Sequence, residues 1–315
     1  MGGEDWRELN RANWDERTAV HLGPGSFYDL GPLRAGRRSL DAIVQAEVRP
    51  VDRLRVLHLQ CHFGQDTLTL AQQGAAEVVG LDFSAPAVDA ARGLARDLGL
   101  ADRARFVEAD LNDAPRAIPE AGGFDLVFET WGALPWLPDI AGWARIVAGF
   151  LRPGGRLYLA EGHPVALVFD DLAQTPDGKR GWGWFVPYFQ REALVLDDPT
   201  DYADPATRLR HARTHNWMHP LSEVLGALGG AGLALEWLHE HPRVPGGCSS
   251  AWCATPTACS PGLIGPGCRW PTRSRRGSEP ALPPPFELFL KRSLRRQRSP
   301  RKDRMARTIT MAPTM

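Results

Sequence analysis

The chain of 315 residues is long enough to form one large domain or two small ones with a substantial hydrophobic core. Hydrophobic residues make up 43% of it, but no apolar run approaches the roughly eighteen residues that a membrane-spanning helix needs. Its first ten residues are polar and acidic, which argues against a signal peptide, so we expect a cytoplasmic protein with no membrane partner.

Positive charge is concentrated at the end of the chain. Residues 269–315 contain 13 Lys/Arg and 3 Asp/Glu. Subtracting these from the 37 basic and 37 acidic side chains of the whole chain leaves 24 and 34, a net charge of −10 for the preceding residues. A body with that charge repels phosphate, so we expect no nucleic-acid partner.

Residues 1–50 are predicted to form a helical lid that precedes the main sheet. A polar amphipathic segment at residues 10–17 is followed by a loop rich in Gly and Pro and by a second predicted helix at 36–48. We interpret Trp14 in the first segment as a packing anchor.

Residues 55–82 form the unit around which the rest of the chain is organised. A short buried strand at 56–60 leads through a tight turn into a helix at 67–73, and a second strand at 77–82 ends on a carboxylate. The turn presents backbone N–H groups and the positive end of a helix dipole. An acid at the tip of the second strand can accept both hydroxyls of a ribose, so the unit predicts an adenosine-containing cofactor.

Strands and helices alternate through the rest of the body. Further strands are predicted at 105–108, 124–129, 156–161 and 233–239. Further helices are predicted after Ser84 and at 138–151 and 221–228. We interpret residues 165–218 as an irregular, aromatic-rich insertion on the substrate side. The alternation predicts an α/β fold, a doubly wound and mainly parallel Rossmann-like sheet with helices on both faces.

The strand ends resemble those of the class I S-adenosylmethionine-dependent methyltransferases over roughly residues 10–245, which implies a cofactor-binding domain at 51–245. The turn Gln60-Cys61-His62-Phe63-Gly64 stands where that family has a glycine-rich turn against the methionine moiety. Gly64 is the one glycine of that turn that remains, and His58 stands in place of the acid often found two residues before the turn. The departures resemble a small-molecule-type subgroup with a Q-C-H-F-G first motif, in which Gln60 and His62 supply polar contacts.

The remaining strand ends fit the same resemblance. Asp82 resembles the ribose-binding acid, with Phe83 beside the adenine. Asp110 and Leu111 resemble the pair that binds the adenine amino group and covers its face. Glu129 closes the fourth strand, where cofactor and substrate meet. The resemblance implies S-adenosyl-L-methionine as the cofactor, with Gln60, His62, Gly64, Asp82, Phe83, Asp110, Leu111 and Glu129 as its candidate ligands.

The resemblance also implies a reaction, methyl transfer to a small-molecule acceptor by in-line displacement. The main task of the protein is then to align the nucleophile with the methyl carbon and sulfur in a dry pocket, so no single catalytic residue is obligatory. His163, at the tip of the fifth strand, is the candidate general base. Aromatic walls suit a partly apolar acceptor and attract a sulfonium. The candidate substrate-pocket residues are Trp131, Trp136, Trp217 and His219.

Two other functions share part of this pattern. An NAD-dependent dehydrogenase has the same strand–turn–helix–acid unit but normally needs a G-x-G-x-x-G turn, which is absent. A degenerate, cofactor-less Rossmann-like binding protein is also compatible, because the first motif lacks most of its glycines. An RNA methyltransferase is disfavoured by the acidic body. No motif identifies the acceptor, a metal site or an oligomeric state.

The composition changes at about residue 245. Residues 246–276 are rich in Gly, Pro, Ser, Cys and Arg without periodicity, and their cysteines form no C-x-x-C pair that would indicate zinc. We interpret 246–315 as a disordered or off-frame tail, and resequencing the gene tests the off-frame hypothesis. The family sheet usually has an antiparallel seventh strand between the fifth and the sixth. Residues 286–291 are the segment that would substitute for it.

Overall fold

The computed structural model describes residues 5–26, 28–37, 39–48, 50–170, 183–204 and 206–241, together with the backbone of 286–292. Its strands are β1 (Arg55–Leu59), β2 (Glu77–Asp82), β3 (Ala104–Glu108), β4 (Phe124–Thr130), β5 (Leu151–Glu161), β6 (Phe169–Asp170), β7 (Gly183–Trp184), β8 (Leu194–Asp197), β9 (Arg213–Asn216), β10 (Leu233–Glu240) and β11 (Phe286–Arg292). Its helices are α1 (Trp6–His21), α2 (Gly31–Arg34), α3 (Ala42–Glu47), α4 (Gln65–Gln72), α5 (Ala85–Asp97), α6 (Ala114–Ala117), α7 (Ile140–Phe150) and α8 (Leu221–Gly230).

Seven strands form one sheet in the order β10-β11-β5-β4-β1-β2-β3. Strands β1 to β5 form the parallel part of the sheet, because every pairing between two of them is parallel. The chain moves outward from β1 to β3 and then crosses to β4 on the other side of β1, so the strand order reverses between β1 and β4. In doubly wound sheets, ligands bind at the carboxyl ends of the strands at this reversal. The fold class predicted from the sequence is confirmed.

The seventh strand, which the sequence analysis left open, is present within the segment that we interpreted as a disordered or off-frame tail. Strand β11 lies between β5 and β10 and is antiparallel to both, with Phe286 opposite Glu161 and Leu288 opposite Leu159. It supplies backbone partners to β5, which would otherwise be an edge strand, and to β10, which it joins to the sheet. The hypothesis of an off-frame tail concerns residues that otherwise lie outside the described ranges.

Two hydrophobic cores cover the two faces of the sheet. Leu57 and Leu59 of β1 pack with the fully buried side chains of α7 and with α8 on one face. Val56 packs with α3, α4 and α5 on the other. Because parallel strands are covered on both faces, their sequence is a nearly continuous apolar run, as β1 and β2 show. Complete burial of each large aliphatic side chain contributes about 1.5–3 kcal/mol.

The structure corrects two segments of the predicted organisation. The helix predicted at 36–48 begins only at Ala42, because Gly36 takes a left-handed φ of 64° after α2 and Asp41 caps α3 through the N–H of Ile43. The insertion at 165–218 is not wholly irregular, since its described residues form two small antiparallel sheets, β6–β7 and β8–β9. None of the described helices is both long and apolar enough to span a membrane.

Helix α1 is fastened to the insertion rather than to the sheet alone. Asn10 exchanges two hydrogen bonds with the backbone of His215 on β9, donating through Nδ2 at 2.9 Å and accepting through Oδ1 at 2.8 Å. Asn13 donates to the carbonyl of His211 at 2.6 Å. These bonds hold α1 across the carboxyl edge of the sheet.

Candidate active site

A cavity of about 200 Å³ lies at the carboxyl ends of β1, β2 and β4, beneath α1. It occupies the crevice that the reversal of strand order creates. Most of the candidate residues from the sequence line it, namely Gln60, His62, Gly64, Asp82, Phe83, Asp110, Leu111, Trp131 and Trp136. The structure therefore brings together residues from four separate strand ends.

The turn after β1 keeps a glycine-like backbone although two of its residues are not glycine. Gln60 and His62 have φ values of 51° and 50°, and Gly64 has 77°. A left-handed conformation costs a non-glycine residue about 1–2 kcal/mol, so the surroundings must hold these two residues in place. The side chain of Gln60 donates to the carbonyl of Ala133 at 3.1 Å. Gly64 is obligatory for another reason, because an added Cβ would lie 2.6 Å from the ring of Phe106.

Asp82 joins the tip of β2 to this turn. Its Oδ2 accepts the backbone N–H of His62 at 2.7 Å, and its Oδ1 accepts that of Ser84 at 3.0 Å. Burial raises the pKa of Asp82 to about 6, against the opposing effect of these backbone hydrogen bonds. The carboxylate thus lies at the cavity wall with its position fixed by two amides.

Asp110 lies at the end of the neighbouring strand, on the rim of the cavity. Its Oδ1 accepts the backbone N–H of Asn112 at 2.8 Å, and its Oδ2 lies 3.8 Å from Nε of Arg7 on α1. Leu111 beside it is buried and contributes an apolar surface. An acid and an apolar side chain at adjacent positions suit an aromatic base that carries an exocyclic amine.

Three polar atoms of the cavity wall are buried without a hydrogen-bond partner among the described residues. They are Oε1 of Gln60, Oε1 of Gln65 and Nε1 of Trp131. An unsatisfied buried polar group costs about 1–3 kcal/mol, so a polar ligand that supplies partners is favoured here. The wall offers acceptors as well as a donor. These two acceptors and one donor fit a cofactor with amino, carboxylate and hydroxyl groups, such as S-adenosylmethionine.

Tryptophan rings form the side of the cavity opposite the sheet. Trp14 of α1 packs edge-on against Trp136 with ring centroids 5.3 Å apart. Trp6 packs in the same way on Trp217 at 5.0 Å. Trp217 itself is not part of the cavity wall, and it supports Trp6 from behind. The wall can therefore accommodate a flat, partly apolar molecule.

Sequence reasoning missed most of the contribution of α1. Trp6, Asn10 and Trp14 all line the cavity. Their spacing of four residues places them on one face of a helix, which is the signal that identifies a shared surface. Trp14 does pack, as predicted, but it also faces the cavity.

One candidate cofactor ligand, Glu129, and the candidate base, His163, lie away from the cavity. Glu129 points to the opposite face of β4, where its Oε2 accepts the indole N–H of Trp143 at 2.8 Å. His163 caps a short 3₁₀ helix by accepting the N–H of Val165 through Nδ1, and its Nε2 lies 3.3 Å from Glu240. Neither side chain lines the cavity, so the structure does not support them as ligand or base. In a strand the side chains alternate between faces, which separates Glu129 from Phe128 and Thr130.

His219 and Trp217 border a second, smaller space of about 20 Å³ behind Leu134. Nε2 of His219 lies 2.7 Å from the carbonyl oxygen of Leu137, which lines the main cavity. Its donated hydrogen bond fixes the segment that carries Trp136. His219 therefore supports the cavity wall from behind.

A buried row of polar side chains leads away from His62. Its Nε2 lies 2.8 Å from Nδ1 of His21, whose Nε2 lies 3.1 Å from Oδ2 of Asp201. Arg17 donates to the same carboxylate oxygen at 2.8 Å. His21 has no exposed surface and Asp201 has 2%. Burial lowers the pKa of both histidines, which keeps them neutral near pH 7.

This fold, with a cavity at the reversal of strand order and an acid at the tip of β2, defines a Rossmann-like enzyme with a nucleoside-containing cofactor. Residues 56–155 match the model of a family described as the methyltransferase domain. The demethylmenaquinone methyltransferase of Lactiplantibacillus plantarum is 32% identical over 207 residues, which cover 64% of this chain and 80% of that protein.

Two further comparisons agree with that match. The methyltransferase GfsG of Streptomyces halstedii is 31% identical over 145 residues, covering 43% of this chain and 50% of that protein. A crystal structure of an S-adenosylmethionine dependent methyltransferase from Mesorhizobium loti superposes with a TM-score of 0.52 at 22% identity, covering 79% of this chain and 96% of that one. The chain belongs to the class I S-adenosylmethionine-dependent methyltransferases.

Proposed function

We propose that the protein transfers a methyl group from S-adenosyl-L-methionine to a small, partly apolar acceptor bound between the sheet and α1. The observation that carries this proposal is the cavity itself, which combines an acid-tipped β2 with tryptophans from α1 and from the segment after β4. When bound, the cofactor supplies a methyl group on a sulfonium, a leaving group that needs no further activation.

The residues of the chain divide the binding between them. Asp82 is positioned to accept the ribose hydroxyls, with Phe83 beside the base, while Asp110 and Leu111 receive the amino group and the face of the adenine. Gln60, His62 and Gly64 form the turn that faces the methionine part. The unpaired Oε1 of Gln60 supports this assignment, because an ammonium group is a donor that it lacks.

The acceptor is inferred from the aromatic wall. The face of an indole attracts cations and packs against flat rings, so Trp14 and Trp136 align an aromatic or isoprenoid acceptor and favour the sulfonium. The name of the L. plantarum relative, a demethylmenaquinone methyltransferase, supports an acceptor of this kind. The acidic body disfavours nucleic acid as a substrate.

Thermal unfolding with and without S-adenosylhomocysteine tests the cofactor, with NAD as the control ligand. At about 100 times its dissociation constant, a ligand of the native state adds about 2.7 kcal/mol to the free energy of unfolding. A rise in Tm with S-adenosylhomocysteine alone is expected. A cooperative transition that responds to neither ligand, or only to NAD, contradicts the proposal. A panel of quinols, phenols and prenyl alcohols with radiolabelled S-adenosylmethionine then tests the acceptor class.

A further inference from the structure

The buried row of Asp201, His21 and His62 ends at the cavity wall. The hydrogen bonds along the row determine whether Nδ1 of His62 carries a hydrogen or a lone pair. Asp201 is a carboxylate held by Arg17, and its Oδ1 accepts the N–H of Ala203 at 2.7 Å. Burial opposes its ionisation, but hydrogen bonding to His21 and the charge of Arg17 keep the pKa of Asp201 below its usual value. An ionised carboxylate is only an acceptor, so Nε2 of His21 must carry the hydrogen.

The hydrogen on Nε2 of His21 determines the tautomer of His21 and then that of His62. A neutral imidazole has one donor nitrogen and one acceptor nitrogen, so Nδ1 of His21 is the acceptor. Nε2 of His62, 2.8 Å away, must then be the donor. The lone pair of His62 is therefore on Nδ1. This atom makes no hydrogen bond with the part of the chain that the structure describes, and His62 lines the cavity.

We propose that His62 is the general base for methyl transfer and that His21 and Asp201 are positioning residues that set its tautomer and stabilise its protonated form. The inference rests on the proposed function. Nδ1 of His62 takes the proton of the acceptor's O–H or N–H group while the acceptor's electron pair forms the bond to the methyl carbon. The electron pair of the broken carbon–sulfur bond stays on sulfur.

The pair of histidines lowers the cost of forming a positive charge in a buried site. A buried imidazolium is costly, and Arg17 adds positive charge near His21. The proton on Nε2 of His62 can pass to Nδ1 of His21, which moves the positive charge next to the carboxylate of Asp201. Aromatic packing holds both imidazole rings in place, since Tyr28 packs at a tilt against His21 with centroids 4.8 Å apart and Trp14 packs edge-on against His62 at 5.3 Å.

His62 replaces His163 as the candidate base. His163 uses its Nδ1 to cap a turn, and its side chain does not line the cavity. His62 lines the cavity, its Nδ1 makes no hydrogen bond with the described residues, and the buried carboxylate of Asp201 lies beyond His21. Geometry comes before pKa in the choice of a base.

The first test is a measurement that needs no acceptor. Long-range ¹H–¹⁵N spectra of the labelled protein saturated with S-adenosylhomocysteine report which nitrogen of each histidine carries hydrogen, and H62N and H21N assign the signals. We expect Nε2–H for both rings. A hydrogen on Nδ1 of His62 overturns the proposal. Because saturation by S-adenosylhomocysteine is recorded in the same sample, failure of cofactor binding is seen separately.

The second test uses the methyl acceptor found in the panel. H62N should lower the rate about 10²- to 10⁴-fold, the usual contribution of a general base. H21N and D201N leave the cavity wall intact, so they should slow turnover without changing the dissociation constant of S-adenosylhomocysteine. Their rates should recover at high pH, where the acceptor ionises by itself. A loss that is equal at every pH indicates a structural role and contradicts the inference.

His239 offers a matched control for these histidine substitutions. Its half-exposed ring lies on β10 with Nδ1 2.8 Å from Glu47, away from the cavity. H239N should change neither the tautomers of His62 and His21 nor the pH dependence of the rate. An equal effect of H239N and H62N would show that the loss is not specific to the buried row.

Discussion

The carboxylate of Asp82 accepts the backbone N–H of His62 across 2.7 Å, which joins the tip of β2 to the left-handed turn after β1. This single contact links the residue proposed to bind the ribose to the residue proposed to act as base. Its other oxygen is occupied by the N–H of Ser84. A change at Asp82 therefore affects both the cofactor and the turn.

D82N should weaken the binding of S-adenosylhomocysteine by about 10- to 100-fold, in line with about 1.5–3 kcal/mol for a hydrogen bond to a charged group. An amide at this position must turn its NH₂ toward one of the two backbone N–H groups. Isothermal titration calorimetry gives the affinity. D89N is the matched control, because Asp89 is an exposed residue of α5 paired with Arg92. Equal affinities for D82N and the wild type would remove Asp82 from the cofactor site.

Alanine substitutions at two glycines with nearly the same φ distinguish the cost of backbone strain from the cost of a steric overlap. Gly64 has φ 77° and Gly154 has φ 80°. A Cβ on Gly64 would overlap the ring of Phe106, whereas nothing lies within 4 Å of a Cβ on Gly154. G154A should cost only the left-handed strain, about 1 kcal/mol, and G64A about 1–3 kcal/mol more. Urea unfolding measures both, and similar losses would contradict the packing argument.

The elements of the sheet could be predicted because each leaves a local pattern. Strands β1 to β4 begin and end within one residue of their predicted bounds, since parallel strands appear as short apolar runs. Asp82 could be assigned because a strand end is visible in the sequence.

The remaining features of the site could not be predicted, because they depend on contacts between residues that are far apart in the sequence. His21 and Asp201 are 180 positions apart, and only the packing of α1 against the insertion brings them together. The direction of Glu129 depends on which face of β4 it occupies, and a fully buried strand shows no polar alternation that would reveal this.

Two buried glutamates, Glu129 in β4 and Glu161 at the end of β5, respond in opposite ways to the same substitution. Both oxygens of Glu161 are acceptors, with Oε1 taking the N–H groups of Ala133 and Leu134 and Oε2 taking that of Gly132. A glutamine must point its NH₂ at one of these sets of donors. E161Q should therefore lower the free energy of unfolding by about 1–3 kcal/mol. Chemical unfolding measures this, and an unchanged stability would contradict the assigned hydrogen bonds.

E129Q should instead stabilise the protein at pH values above the pKa of an unfolded glutamate. Burial raises the pKa of Glu129 to about 8, aided by the charge of Glu161, whereas an unfolded glutamate titrates near 4.3. Between these values the folded state keeps a proton that the unfolded state has released, so the free energy of unfolding falls as pH rises.

A glutamine at residue 129 does not titrate and keeps an acceptor for the indole of Trp143. The gain of E129Q over the wild type should thus be absent near pH 4, grow through pH 5 to 8 and reach a few kcal/mol. Urea unfolding at several pH values measures it. E192Q, at an exposed glutamate of the insertion, is the control. A gain that is independent of pH would show that Glu129 is ionised in the folded protein.

N10D tests whether α1 depends on its attachment to β9. Asn10 is almost completely buried and both donates to and accepts from the backbone of His215. An aspartate keeps the shape but places a carboxylate oxygen against the carbonyl of His215, at a cost of about 1–3 kcal/mol or more. We expect faster hydrogen exchange throughout α1 and weaker binding of S-adenosylhomocysteine. N216D adds the same charge to the same strand without breaking a described hydrogen bond. N216D should leave exchange in α1 unchanged. If N10D also left it unchanged, the attachment of α1 would not depend on the two hydrogen bonds of Asn10.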